Sequence, residues 1–252
     1  MNKNVEVVSL IFKSVQYLHF IYEQLKSEFC QADGWDVGVR IVANDATDEV
    51  ITELKKLDIN YTIFKNPDPN EFYLNRVYRA FNHAVISSEY DNVCLLNSDN
   101  VISKNWLSNL LKHHNGINIP CSRTIESGKM SSGMHCINLG SNDFGRHPNE
   151  FNHKGWHDYA NKIEKDEIHN GGIFCSPVFE KQRFIEAGGY PQGNVFLDDN
   201  NRLISGYPND RRMYKTSDNF FFYDILEGKF DMKHITIFNS VIYHIMEGEK
   251  DC

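Results

Sequence analysis

Asn97, Ser98 and Asp99 end a short apolar run, Asn92–Leu96, in a knot of oxygen-bearing side chains. A run of this length and composition predicts a buried strand, and open α/β folds place ligands beyond the carboxyl ends of their strands. Asn97 and Asp99 stand two residues apart, so an extended chain points both to one side. Paired oxygens at a strand end suit a hard divalent cation, which acts as a Lewis acid toward a departing diphosphate. Further polar groups sit at comparable places. Asn44, Asp45 and Asp48 follow a second apolar run, Asp218 stands at the start of a predicted helix, and His244 ends the last apolar run. A carboxylate at a helix start can serve as a base or simply cap the helix. Asp45 and Asp99 also read as turn residues, and His244 as a packed core histidine.

The elements needed to position these groups are legible in the hydrophobic periods. Strands are predicted at Val5–Phe12, Asp36–Ala43, Asn60–Phe64 and Asn92–Leu96. Between them, Val15, Leu18, Ile21, Tyr22 and Leu25 recur at helical spacing, Val50, Ile51 and Leu54 mark a short helix, and Leu74–Ser87 carries Val77, Phe81, Ala84 and Val85 on one face. Such alternation predicts a doubly wound, mostly parallel sheet flanked by helices. Ser103 is expected to cap a helix through Trp106, Leu107, Leu110 and Leu111. Ser127–Asn170 has little periodicity, and a stretch of that length reads as a functional loop. A helix is predicted from about Pro177 to Ala187, stopping at Gly188-Gly189, then irregular chain over Pro191–Thr216, a helix from Ser217-Asp218, and short strands at His234–Phe238 and Ser240–His244.

The 252 residues are 41% hydrophobic, enough for one sizeable core, and we expect a single domain whose residues 1–100 bind nucleotide and whose residues 101–252 carry acceptor binding and catalysis. The formal net charge of -8 excludes a broad nucleic-acid footprint, which requires clustered Lys and Arg. The six cysteines form no C-x-x-C pair and no repeated spacing, so neither a zinc ribbon nor a disulfide framework is expected. Met1-Asn-Lys-Asn leads directly into the first strand, too short and too early for a signal peptide or membrane span, and a cytoplasmic location follows as an expectation.

Taken in order, these motifs resemble the family 2 glycosyltransferases of the GT-A fold, inverting enzymes that use nucleotide-sugar donors, from Val5 to about Glu249. The resemblance implies that Phe12, in Phe12-Lys13-Ser14, touches the nucleotide, that Asn44 and Asp45 hold its base and ribose, and that Asn82 is the helix asparagine before the metal strand. The family's Arg beside that asparagine is Phe81 here, and Arg79, one turn from Asn82, is the expected substitute. Asn97-Ser98-Asp99 takes the place of the Asp-x-Asp motif, with Asn97 and Ser98 on the donor. Asp99 and His244 are implied as ligands of Mn2+ or Mg2+. Gly172 of Gly171-Gly172 lets backbone approach the sugar or acceptor, and the Phe184–Tyr190 segment matches a following aromatic turn. Asp218 is implied as the general base for a hydroxyl acceptor, most simply a glycan.

Three readings stand beside this one. A catalytically silent nucleotide-sugar or glycan-binding module, motivated by Asn97 and Phe81, has no use for Asp218 as a base. A retaining GT-A transferase differs in the anomeric configuration of its product. A sugar nucleotidyltransferase needs a Gly-rich basic loop after the first strand, and Phe12-Lys-Ser-Val-Gln has no glycine. His153 and His157, four apart, would suit zinc only if helical and joined by a third ligand. We instead expect an acceptor-facing loop with Trp156 stacked on a sugar. Arg211-Arg212 with Lys215 reads as a lid near the phosphates or as a solvated charge run. The sequence sets no oligomeric state.

Overall fold

The computed structural model describes residues 2–68, 70–127, 133–140, 143–206 and 213–245. The central sheet is built from β1 (Asn4–Ile11), β2 (Asp36–Asn44), β3 (Asn60–Phe64) and β4 (Asn92–Leu96), in the order β3-β2-β1-β4, all parallel. The period of two in β1 sends Val5, Val7 and Ile11 to one face and Val8 and Leu10 to the other. Both faces are covered. Helices α1 (Val15–Lys26) and α2 (Asp48–Leu54) pack on the first, and α3 (Tyr73–Ile86) packs on the second through Ala80, Phe81, Ala84 and Val85. This two-sided burial is why the strands read as nearly continuous apolar runs.

A buried ion pair fixes α3 to the sheet. Arg40 Nε and Nη2 donate to Glu6 Oε1 and Oε2 at 2.9 and 2.8 Å, and Nη2 also donates to the Ala84 carbonyl at 2.7 Å. A bidentate, fully hydrogen-bonded pair of this kind is the form in which buried charge is tolerated.

The second half is more regular than its sequence suggests. A second sheet is formed by β5 (Asn100–Ile102), β6 (Asn118–Glu126), β7 (Ile137–Asn138) and β8 (Ile168–Asn170) around the long β13 (Lys233–His244). The two strands expected at 234–244 are one strand. Its register against β6 shifts between Ile237 and Val241, so Phe238, Asn239 and Ser240 form a bulge. Helix α4 (Trp106–Leu111) is preceded by Asn105 in the left-handed region rather than capped by Ser103. Ser103 is committed to β13 instead, its N–H donating to the Val241 carbonyl and its Oγ accepting from the Val241 N–H.

Within the expected loop 127–170 lies α5 (His153–Ile163), whose start is capped by the Asn152 side chain. The helix expected over 177–187 is divided into β9 (Val178–Glu180), which extends the central sheet antiparallel to β4, and α6 (Lys181–Glu186). Two β-prone apolar residues, Val178 and Phe179, gain more from completing the sheet edge than from a helical turn. Gly188 and Gly189 do stop the helix at positive φ, +86° and +69°. The stretch expected to be irregular at 191–216 holds a three-stranded antiparallel sheet of β10 (Asn194–Leu197), β11 (Leu203–Gly206) and β12 (Met213–Lys215). Helix α7 (Ser217–Asn219) runs on as a π-helical segment, Phe220–Glu227. No helix among the described residues is long and apolar enough to cross a membrane.

Candidate active site

The carboxyl ends of β1, β2 and β4 open on a cavity of about 360 Å³ whose lining includes Phe12, Asn44, Tyr73, Leu74, Arg76, Val77, Asn97, Ser98, Asp99 and His244. Six residues expected at the site from the sequence are therefore brought together there: Phe12, Asn44, Asn97, Ser98, Asp99 and His244. Each except His244 follows or ends a central strand; His244 arrives from the last strand of the second sheet.

Asp99 and His244 face each other, with Asp99 Oδ2 3.4 Å from His244 Nε2. The other ring nitrogen, Nδ1, lies 3.1 Å from Oε1 of Glu126, whose side chain is only 1% exposed. Burial alone would push the His244 imidazole down, but the Asp99 charge and hydrogen bonds to Asp99 and Glu126 outweigh it and raise the group to about 10.

Asp45 sits just behind the cavity in the left-handed region, φ 51°. Its Oδ1 accepts from the Asn66 N–H at 2.9 Å, and its Oδ2 accepts from Asn66 Nδ2 at 2.7 Å and from Arg76 Nη1 at 3.3 Å. Arg76 in turn lies over the Phe12 ring, 5.2 Å from its centroid. Its Nε is buried without a partner among the described residues, and the residue lines the cavity.

Arg79, the residue expected from the sequence, does not line this cavity. Arg79 pairs with Glu71 and donates to Gln192, on a separate cavity wall shared with Asn82 and His83. Three residues along a helix is a rotation of about 300°, so Arg76 and Arg79 diverge by about 60° and face different cavities. Asn82 is a latch: its amide donates to the Tyr190 carbonyl and accepts from the Tyr190 N–H, each at 2.8 Å, docking the Gly-Gly-Tyr turn on α3.

Two further expectations are corrected. Trp156 is fully buried, on α5, with its ring 5.6 Å from Tyr243 and 5.8 Å from Phe144, and its indole N–H donating to the Ile102 carbonyl. A side chain with no exposed surface has no face for a sugar. Gly172 lies outside the cavity lining, at φ +122°, where a Cβ would stand 2.1 Å from Thr236 Oγ1. Close packing on β13 accounts for this glycine. His153 and His157 are indeed on a helix, but they pack against Phe20 and Phe29, and no group of three His, Cys, Asp or Glu side chains among the described residues is arranged to hold a metal by itself.

Asp218 is not among the residues that line the cavity; it opens α7 beside Tyr78, which is one helical turn beyond the cavity-lining Leu74 on α3. Burial and the Asp218 carboxylate push the Tyr78 phenol well above its usual range, and its oxygen is hydrogen-bonded to the Asp218 main chain. Asp218 Oδ1 accepts from the Thr216 hydroxyl and from the Asn219 N–H. Oδ2 accepts no hydrogen bond among the described residues. The helix start itself is anchored by Ser217, whose hydroxyl donates to the Pro191 carbonyl at 2.8 Å. Lys215 pairs with Asp224; Arg211 and Arg212 lie outside the described residues. Cys30, Cys94, Cys121, Cys136 and Cys175 take part in no disulfide among the described residues, and Cys252 lies outside them.

Two residues of this site, Arg76 and Glu126, escaped the sequence reading. Arg76 was accessible from the helical period had its phase been anchored on Leu74 and Val77. Glu126 has no local signal, because its partner is 118 residues away.

No family model and no curated protein matches the sequence. Solved structures do match the fold. A structure of GalNAc-T7 with UDP, GalNAc and Mn2+ superposes with a TM-score of 0.60, covering 96% of this chain and 44% of that one, at 11% identity. A mannosyltransferase from Pyrobaculum calidifontis in complex with GDP-Man and Mn2+ gives a TM-score of 0.52, covering 97% and 57%, at 12% identity. The chain thus spans about half the length of the structures it matches. Its mostly parallel central sheet flanked by helices, with the cavity at the strand ends, is the fold of GT-A glycosyltransferase structures.

Proposed function

We propose that the chain is a metal-dependent, inverting glycosyltransferase that moves a sugar from a nucleoside-diphosphate sugar to a hydroxyl acceptor, a glycan by preference, with Asp218 as general base. The observation that carries this reading is the pairing of Asp99 with His244 on the wall of a cavity that also presents Phe12, Asn44 and Arg76. The fold likeness supports it, because the matched structures hold UDP, GalNAc and Mn2+ in one case and GDP-Man and Mn2+ in the other.

Asp99 and His244 would hold Mn2+ or Mg2+, ions whose remaining positions suit oxygen ligands. When bound, the ion supplies Lewis acidity to the leaving diphosphate. The protein's residues do the rest. Phe12 and Asn44 flank the nucleotide, and Asp45 holds Arg76 so that its remaining donors meet donor oxygens. Asp218 Oδ2 takes the acceptor proton as the hydroxyl oxygen bonds to the anomeric carbon and the bond from that carbon to the diphosphate breaks on the opposite face. No covalent enzyme intermediate is needed.

A donor-binding module without catalysis is the second reading, favoured by the two hydrogen bonds that commit Asp218 Oδ1 to its own helix start. Thermal shifts with UDP-, GDP- and dTDP-sugars, with and without Mn2+ or Mg2+, separate the outcomes, since a ligand bound only by the native state raises its melting temperature. We expect one nucleotide class to bind with metal dependence and to support transfer with inverted configuration. Retained configuration would exclude the inverting mechanism. Binding with neither donor hydrolysis nor transfer across a broad acceptor panel establishes the silent module, and no binding of any donor sinks both readings.

A further inference from the structure

We infer that Glu126 is the positioning residue for His244, fixing the imidazole so that Nε2 is presented to the cation shared with the donor. This rests on the metal-dependent reading above. Three neighbouring strands bring the parts together. In the parallel ladder of β13 with β6, His244 is paired with Glu126, and in the antiparallel ladder with β5 it is paired with Asn100. The Ile245 N–H donates to the Asp99 carbonyl at 2.9 Å, tying the end of β13 to the metal turn. Asp99, His244 and Glu126 are therefore set side by side by backbone hydrogen bonds before any side chain is considered.

The side chains then form a line from solvent to core. Asp99 and His244 line the cavity, whereas Glu126 lies behind them, 1% exposed. Glu126 Oε1 accepts from His244 Nδ1 at 3.1 Å, and Oε2 accepts from the Cys136 thiol at 3.2 Å. The Glu126 carbonyl accepts from the Leu139 N–H at 2.9 Å. The carboxylate is thus held at both oxygens and through its backbone. Imidazole rotation about its last torsion is otherwise soft. A carboxylate on Nδ1 sets both the ring plane and the nitrogen left for the ligand, and carboxylates behind metal-bound imidazoles typically contribute 10- to 100-fold to metal affinity. Sequestering a carboxylate from water is costly without such a partner.

The test is calorimetric titration of Mn2+, alone and with UDP or GDP, into the full chain and into Glu126→Gln, Glu126→Asp and His244→Ala. Cobalt(II) spectra of the same proteins report the ligand field independently of turnover. Glu126→Gln is expected to bind Mn2+ about 10- to 100-fold more weakly and to shift the cobalt bands, with the melting temperature of the metal-free protein read as a control for folding. Glu126→Asp, which keeps the charge and withdraws it by one methylene, should fall between. If His244→Ala weakens Mn2+ binding and Glu126→Gln leaves it within about twofold, with unchanged cobalt bands, the inference is overturned while the proposed function stands. If the unaltered protein binds no Mn2+ with either nucleotide, the metal-dependent reading itself fails. Should neither Glu126 variant fold, Glu126 is a structural anchor and the inference is again overturned.

Discussion

The cavity wall and the packing under α5 treat polar and aromatic residues in opposite ways. On the cavity wall, Phe12, Asn44, Asn97, Ser98 and Asp99 come at or just past the ends of strands buried on both faces, so the sheet's register delivers them to an open edge. In the second half, Trp156, Phe151 and Tyr243 point inward and form a core of their own under α5. A strand end leaves its side chains available to a ligand. A helix laid across a sheet spends its large rings on packing. The same contrast occurs along β13: His234, among Phe174, Phe222 and Tyr223, is pushed down to about 4 by burial, whereas His244, ten residues on, is raised by its two carboxylates.

Variants on the two sides should separate function from stability. Asp218→Asn is expected to lower turnover by about 100- to 10,000-fold, the usual worth of general-base assistance, while donor affinity measured calorimetrically stays within about twofold. Lost donor binding would assign Asp218 a different role. Trp156→Ala is expected to cost about 3–5 kcal/mol in urea unfolding, by removing a fully buried ring, with donor affinity of the remaining folded protein unchanged. Loss of affinity without loss of stability would restore Trp156 to the ligand site.

Acid stability tests the contrast along β13. The native pKa of His234 lies below its unfolded value of about 6.5, so above pH 6.5 both states are neutral and the residue has no pH-linked effect. Between pH 6.5 and about 4 the unfolded chain binds a proton that the folded chain refuses, and stability falls. His114, held at about 4 mainly by burial, acts in the same direction. His234→Phe should reduce the loss between pH 7 and 4.5 by on the order of 3 kcal/mol, read from unfolding midpoints; an unchanged slope would mean that this histidine titrates normally. The smallest effect concerns α3. Arg76→Ala should weaken donor binding about tenfold, the loss of a charged hydrogen bond, and Arg79→Ala by less than about twofold. The reverse order would place the donor on the other side of the helix.

The first hundred residues were legible because their signals are local. A period of two or 3.6 and an abrupt change to Asn, Asp or Ser mark where a strand leaves the sheet, and β3 and β4 fall on their expected bounds. The second half was harder to read because its elements are short and their stability comes from distant partners. Helix α5 carried a usable signal, the Asn152 cap followed by Trp156, Ala160 and Ile163 at helical spacing, but it was obscured by surrounding Gly, Asn and His.

By itself, the sequence determined the alternating strands and helices and the placement of Asp45 and Asp99 just beyond strand ends, since both follow from neighbours within a few residues. Only the tertiary structure decided that Arg76 rather than Arg79 meets the cavity, that Trp156 is core, and that Glu126 stands behind His244. Those outcomes depend on helix phase and on the pairing of β13 with β6 across more than a hundred residues, and a long-range register of that kind is chosen by the packing of the whole fold rather than by any local pattern.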